Sequence, residues 1–139
     1  MTDVALVIGR YYPELADGMA TAVRDRIEDR GAAVSTTIDV NGVYDMPLAI
    51  DRLARHQGVN AVVVLAAVVT GDTDHDQMVT NAAAHQLSAI SVERATPVGF
   101  GVIGLGMSGA EAAERTDYGA TAVDAAFNLI AQFSSLRTH

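Results

Sequence analysis

Four apolar runs punctuate the chain, and each is followed by a segment whose hydrophobic positions recur with a helical period. "DVALVIGRYY" (Asp3–Tyr12) reads as a short apolar strand. In "ELADGMATAVRDRIEDRG" the residues Leu15, Met19, Val23 and Ile27 fall on one helical face, and Gly31 closes the segment as a C-cap. "AAVSTTIDV" is a β-branched strand ending near Val40, and "VYDMPLAIDRLARHQG" is a helix with Pro47 suited to its first turn. "NAVVVLAAVV" (Asn60–Val69) is apolar without interruption, as a central strand covered on both faces must be. A third helix is expected from about Asp76 to Ala89, and "PVGFGVIG" (Pro97–Gly104) is the fourth strand. The last helical region starts at Ser108, where Ser108 and Glu111 form an S-x-x-E capping box, and continues to about Leu136 with a bend near Gly119.

The order is therefore βαβαβαβα. Strands that alternate with helices imply a parallel sheet with right-handed crossovers and helices on both faces. Ligands bind such sheets outside the carboxyl ends of the strands. Four segments lie there, "GRYYPE", "NGVYDMP", "TGDTDHD" and "GLGMSG", and they should converge in space although they are far apart in sequence. With 139 residues, half of them hydrophobic, and no linker or repeat, a single domain across residues 1–139 is expected.

Composition narrows the functions. No apolar run approaches the roughly 18 residues that cross a bilayer, and the N-terminus has no basic n-region or cleavage site, so a cytoplasmic location is expected. The absence of Cys excludes disulfides, thiolate zinc sites and a Cys nucleophile. A net charge of −8, from nine cations against seventeen acids, argues against binding nucleic acid. All nine cations are Arg, and an acidic surface without Lys suits a cell interior of high salt.

"GDTDHD" places three acids, a Thr and a His at the mouth of a strand. A metal site built from Asp72, Asp74, His75 and Asp76 would lack the D-x-D-x-D-G spacing and closing Glu of an EF-hand loop. Helix capping explains one or two of the acids, but neither the Gly before them nor the His among them. A functional reading uses them all: Gly71 admits close backbone approach, Asp72 and Thr73 hold an anionic group near a helix N-terminus, and His75 is a general acid/base.

"GLGMSG" (Gly104–Gly109) is formally G-x-G-x-x-G, but it follows the last strand and no further βαβ unit supplies a ribose-binding acid. A tight strand-to-helix turn is the simpler reading. Arg115, in the helical region after it, either lies on a solvated face paired with Glu111 or grips a phosphate. Tyr11 and Tyr44 fall in the first two loops and Phe100 in the fourth strand; in a chain only 5% aromatic, this placement points to a site for a flat ring as well as to core packing. Met46, Met78 and Met107 read as packing residues, and His56 and His85 as surface residues.

At "NGVYDMPLA", "GDTDHDQMVTNAA", "PVGFGVIGLGM" and "ERTDYGATAVDAA" the chain resembles the 6,7-dimethyl-8-ribityllumazine synthases, above all the archaeal branch. These motifs stand in family order and cover almost the whole chain. The resemblance implies a flavodoxin-like three-layer α/β sandwich around a four-stranded parallel sheet. It implies a transferase of riboflavin biosynthesis that condenses 5-amino-6-(D-ribitylamino)uracil with 3,4-dihydroxy-2-butanone 4-phosphate, without metal or redox cofactor. Active sites would lie between subunits of a homopentamer or a 60-subunit shell. By position, the resemblance gives ring stacking to Tyr11, and the ribityl chain to Val43, Tyr44 and Asp45. Further pyrimidine contacts fall to Ala67, Val68 and Val69, phosphate to Asp72, Thr73 and Arg115, and catalysis to His75. Phe100 stands where the family has a residue lent by a neighbouring subunit.

The chain departs from the family in three places. The common R-F-N after the first strand is R-Y-Y here, Thr70 replaces an Arg frequent in bacterial members, and "TDYGA" lacks the Lys that often follows the phosphate-binding Arg. Two other readings compete: the archaeal-type riboflavin synthase paralogue, and a flavin- or nucleotide-binding module without catalysis.

Overall fold

The computed structural model describes residues 2–69, 75–104 and 107–138, without the side chains of Asp76, Arg137 and Thr138. Four parallel strands, β1 (Asp3–Gly9), β2 (Ala33–Val40), β3 (Ala61–Ala67) and β4 (Val98–Ile103), form one sheet in the order β2-β1-β3-β4. Helices α1 (Pro13–Asp29), α2 (Met46–Ala54), α3 (His75–Arg94), α4 (Gly109–Ala113) and α5 (Gly119–Ser134) connect and cover them, with a 3-10 turn at Val43–Asp45. This is the expected α/β arrangement.

Strand alternation sorts the core into two layers. Val4, Leu6 and Ile8 of β1 and Val63 and Leu65 of β3 face α1 and α5, meeting Met19, Val23, Ile27, Val123 and Phe127. The intervening residues Ala5, Val7, Val62, Val64 and Ala66 face α2 and α3, meeting Met46, Ile50, Leu53, Ala83, Leu87 and Ile90. Both faces of β1 and β3 are therefore dry, which is why those runs carry no polar alternation. β2, at one edge, has partly covered and exposed residues instead.

The termini of the elements refine the sequence reading. β1 stops at Gly9 rather than Tyr12: Arg10 N still donates to Val40 O (2.8 Å), and the chain then turns into α1, which begins at Pro13. α3 runs to Arg94, beyond the expected Ala89, since nothing in "ISVER" breaks a helix. It ends where Ala95 takes the left-handed conformation (φ 53°), with Pro97 two residues on. The predicted cap is present: Ser108 Oγ accepts from Glu111 N and Glu111 Oε1 from Ser108 N, each at 3.2 Å. The last helical region is broken into α4, a 3-10 turn at Thr116–Tyr118, and α5 from Gly119, so the bend near Gly119 is a true interruption.

The strand order decides where a ligand can sit. From β1 the chain moves one way to β2, then crosses back over β1 to reach β3. At such a reversal the two flanking loops diverge and leave a crevice outside the carboxyl ends of the central strands.

Candidate active site

A cavity of about 720 Å3 occupies that crevice, within the range typical of small-molecule sites, roughly 300–1,000 Å3. The end of β1 contributes Gly9, Tyr11 and Tyr12; the chain beyond β2 contributes Gly42, Val43 and Tyr44; the end of β3 contributes Ala66, Ala67, Val68 and Val69; and the first turns of α3 contribute His75, Met78, Val79 and Thr80. Seven predicted residues thus share one space: Tyr11, Val43, Tyr44, Ala67, Val68, Val69 and His75.

The aromatic walls are unusual for their exposure. Tyr11 and Tyr44 are 74% and 75% exposed, so neither ring is used by the core of this chain. Tyr12 meets Tyr11 edge-on, ring centroids 4.9 Å apart at 69°, which leaves a face of Tyr11 available for stacking. The segment before Tyr11 is clamped: the Arg10 guanidinium donates through Nε to Asp39 (3.0 Å) and through a terminal nitrogen to Asp17 (2.6 Å). The hydrogen bond to Asp39, opposed in part by desolvation, raises the Arg10 pKa above its ordinary value. This cation is already matched by two carboxylates and serves to hold the Tyr11 loop.

A second constraint shapes the β3 end. Val68 N donates to Ile103 O (2.7 Å), and Gly104, at φ +99°, passes so close that an added Cβ would lie 2.7 Å from Val68 O. Only glycine fits both the backbone conformation and the contact. Gly104, the first glycine of "GLGMSG", is therefore explained by close packing against the end of β3.

Three predicted residues lie off this cavity. Asp45 follows Tyr44 but turns its carboxylate back to accept from Gly42 N (3.3 Å), capping the 3-10 turn. Phe100, 38% exposed, lines a separate groove with Leu87, Ser88, Ser91, Val92 and Val98 beside the edge strand β4. Arg115 is exposed at the start of the 3-10 turn that precedes α5 and does not line the cavity of its own chain. Asp72 and Thr73, with Thr70, Gly71 and Asp74, lie outside the described residues. Among the described residues, no three His, Asp or Glu gather to hold a metal, and no helix is long and apolar enough to cross a membrane.

Sequence reasoning missed Met78, Val79 and Thr80. Met78 and Val79 stand three and four residues after His75, the helical spacing that puts side chains on one side. Met78 is 64% exposed at the cavity wall and is not the packing residue it was expected to be; Met46, fully buried, is.

The sequence model of the 6,7-dimethyl-8-ribityllumazine synthases matches residues 2–134. The chain belongs to that family. A relative from Halorubrum lacusprofundi named 6,7-dimethyl-8-ribityllumazine synthase is 50% identical over 129 residues, covering 93% of this chain and 96% of the relative. Relatives of the same name from Methanosarcina barkeri (41% identical; 91% of this chain, 95% of the relative) and Methanocaldococcus jannaschii (35%; 98% and 96%) extend the similarity across other archaea. The four-stranded parallel sheet agrees with the flavodoxin-like fold that the family resemblance implied. The readings as a paralogous riboflavin synthase or a non-catalytic binding module are not favoured.

Proposed function

We propose that this chain, a single domain over residues 1–139, condenses 5-amino-6-(D-ribitylamino)uracil with 3,4-dihydroxy-2-butanone 4-phosphate to give 6,7-dimethyl-8-ribityllumazine. It is a transferase reaction, the penultimate step of riboflavin biosynthesis, and we place it in the cytoplasm. The observation that carries this reading is the shared cavity of Tyr11, Tyr44 and His75 at the β1/β3 reversal, in a chain of this family.

The chemistry asks for registration of two substrates and for proton transfer. The 5-amino nitrogen attacks the ketone and water leaves to give an imine; loss of a proton from carbon drives out phosphate; the ribityl-bearing nitrogen closes the ring and a second water departs. Tyr11 stacks on the pyrimidine. Val43 and Tyr44 border the ribityl chain, with the Asp45 carboxylate holding the 3-10 turn that presents them, and Ala67, Val68 and Val69 present backbone groups at the end of β3 to the ring. His75, the first residue of α3 and exposed at the cavity, exchanges protons with the reacting atoms. Holding both substrates in register supplies several kcal/mol, and proton transfer by His75 adds about 10²- to 10⁴-fold.

Asp72 and Thr73, with Arg115, hold the phosphate. Arg115 and Phe100 lie off the cavity of their own chain, in keeping with a site shared between subunits of a homopentamer, alone or within a 60-subunit shell. Phe100, exposed beside the edge strand, is then the aromatic lent to a neighbour.

An absorbance assay for lumazine with both substrates tests the reaction. Formation of lumazine supports it, whereas riboflavin made from lumazine alone would assign the chain to the paralogous synthase. Light scattering decides the assembly, and a monomer that is fully active would refute the shared site.

A further inference from the structure

One side chain on the cavity wall is not explained by folding. Down α3 the buried stripe runs Thr80, Ala83, Leu87, Ile90, spaced by three and four residues as a core-facing row must be. Its first position holds a hydroxyl where the pattern calls for an apolar group. Thr80 is only 4% exposed, and among the described residues its Oγ1 is shut off from water with no hydrogen-bond partner. It does not use a backbone carbonyl of its own helix, the usual recourse of a helical threonine. A buried hydroxyl left unsatisfied works against folding, and valine would fill the same space without that cost. A local rule broken without compensation in the free chain is expected where a ligand completes the structure.

Thr80 lines the cavity beside Val79. It lies five residues beyond His75, about 7.5 Å along the helix, so it is set back from the reacting centre. α3 packs against the 3-10 turn that carries Val43 and Tyr44. We propose that Thr80 is a substrate-positioning residue whose hydroxyl pairs with a hydroxyl of the polyol chain of the amine substrate; this rests on the reaction proposed above. The edges of a heterocycle are matched by fixed donors and acceptors such as strand-end amides. A secondary alcohol is matched by a group that both donates and accepts, and a threonine hydroxyl is one. As it stands the oxygen is closed to solvent. A turn about Cα–Cβ brings it to the ligand, and threonine is the β-branched residue with two accessible rotamers in a helix.

Steady-state kinetics of wild type, Thr80→Val and Thr80→Ser test this with two amines: the ribityl substrate, and 5,6-diaminouracil, which lacks the polyol. Thr80→Val is expected to raise KM for the ribityl amine about 3- to 10-fold, the range of a lost hydrogen bond. It should leave kcat, and KM for the butanone phosphate and for diaminouracil, unchanged. Thr80→Ser is expected to restore the wild-type KM. The melting temperature of free Thr80→Val should equal or exceed that of wild type, because the orphaned hydroxyl is gone. An unchanged KM for the ribityl amine, or an equal rise for both amines, overturns the role. Wild-type protein that makes no lumazine overturns the reaction itself, and the role with it.

Discussion

In Tyr11→Ala the ring at the cavity mouth is removed while the core stays intact. Tyr11 is 74% exposed and meets the Tyr12 ring edge-on at 4.9 Å, so the fold should change in stability by no more than about 1 kcal/mol. Binding is a different matter. Offset stacking on a flat heterocycle is worth about 0.5–1.5 kcal/mol beyond burial. Covering one ring face removes on the order of 60 Å2 of apolar surface from water, about 1.5 kcal/mol at 25 cal/mol per Å2. Together these predict a loss of about 2–3 kcal/mol, a roughly 30- to 150-fold weaker hold on the amine. Titration calorimetry of the amine, and its KM at saturating butanone phosphate, measure this directly. Tyr11→Phe keeps the ring face and should stay near wild type. Tyr11 does not stack on the pyrimidine if Tyr11→Ala binds the amine as wild type does, or if Tyr11→Phe loses as much as Tyr11→Ala.

The remaining predictions concern catalysis, backbone and charge. His75→Ala should lower kcat by about 100-fold or more without abolishing turnover; a kcat equal to wild type would remove His75 from proton transfer. Gly104→Ala, at φ +99° with Val68 O 2.7 Å from the new carbon, should destabilise by about 2–5 kcal/mol in urea unfolding. Ala95→Gly relieves a left-handed alanine at φ 53° and should stabilise by about 1 kcal/mol, read as a higher unfolding midpoint. Asp124 accepts from Arg26 and Arg30, and the Arg26 hydrogen bond chiefly holds its carboxyl below the ordinary value against desolvation. Because the folded pKa lies below the unfolded one, this stabilisation is complete above about pH 4 and is lost as pH falls through the depressed folded value. Between pH 6 and pH 3 the wild type should therefore lose more stability than Asp124→Asn, by about 1 kcal/mol or less for a side chain 33% exposed, in denaturant titrations at each pH.

Short-range physics made much of this protein legible as a sequence. Uninterrupted apolar runs marked β1 and β3 as strands covered on both faces, four-residue spacing marked the buried face of α1, and Ser108 with Glu111 announced a helix start, because periodicity and capping act within a few residues. The alternation of strand and helix located the loops at the carboxyl ends. Sparse aromatics and the polar "GDTDHD" in those loops then drew attention to Tyr11, Tyr44 and His75, and the family resemblance gave them roles. What local pattern could not decide was the order of the strands: a parallel sheet is paired across long crossovers, and the same run of elements is compatible with several orders. Only the tertiary arrangement β2-β1-β3-β4 puts the reversal between β1 and β3 and thereby gathers those side chains around one cavity. It also placed Arg115 and Phe100 off that cavity, turned Met78 from a packing residue into a wall, and left the Thr80 hydroxyl buried without a partner among the described residues. Each of these depends on which surfaces meet after the chain has crossed the sheet, and no window of neighbouring residues contains that information.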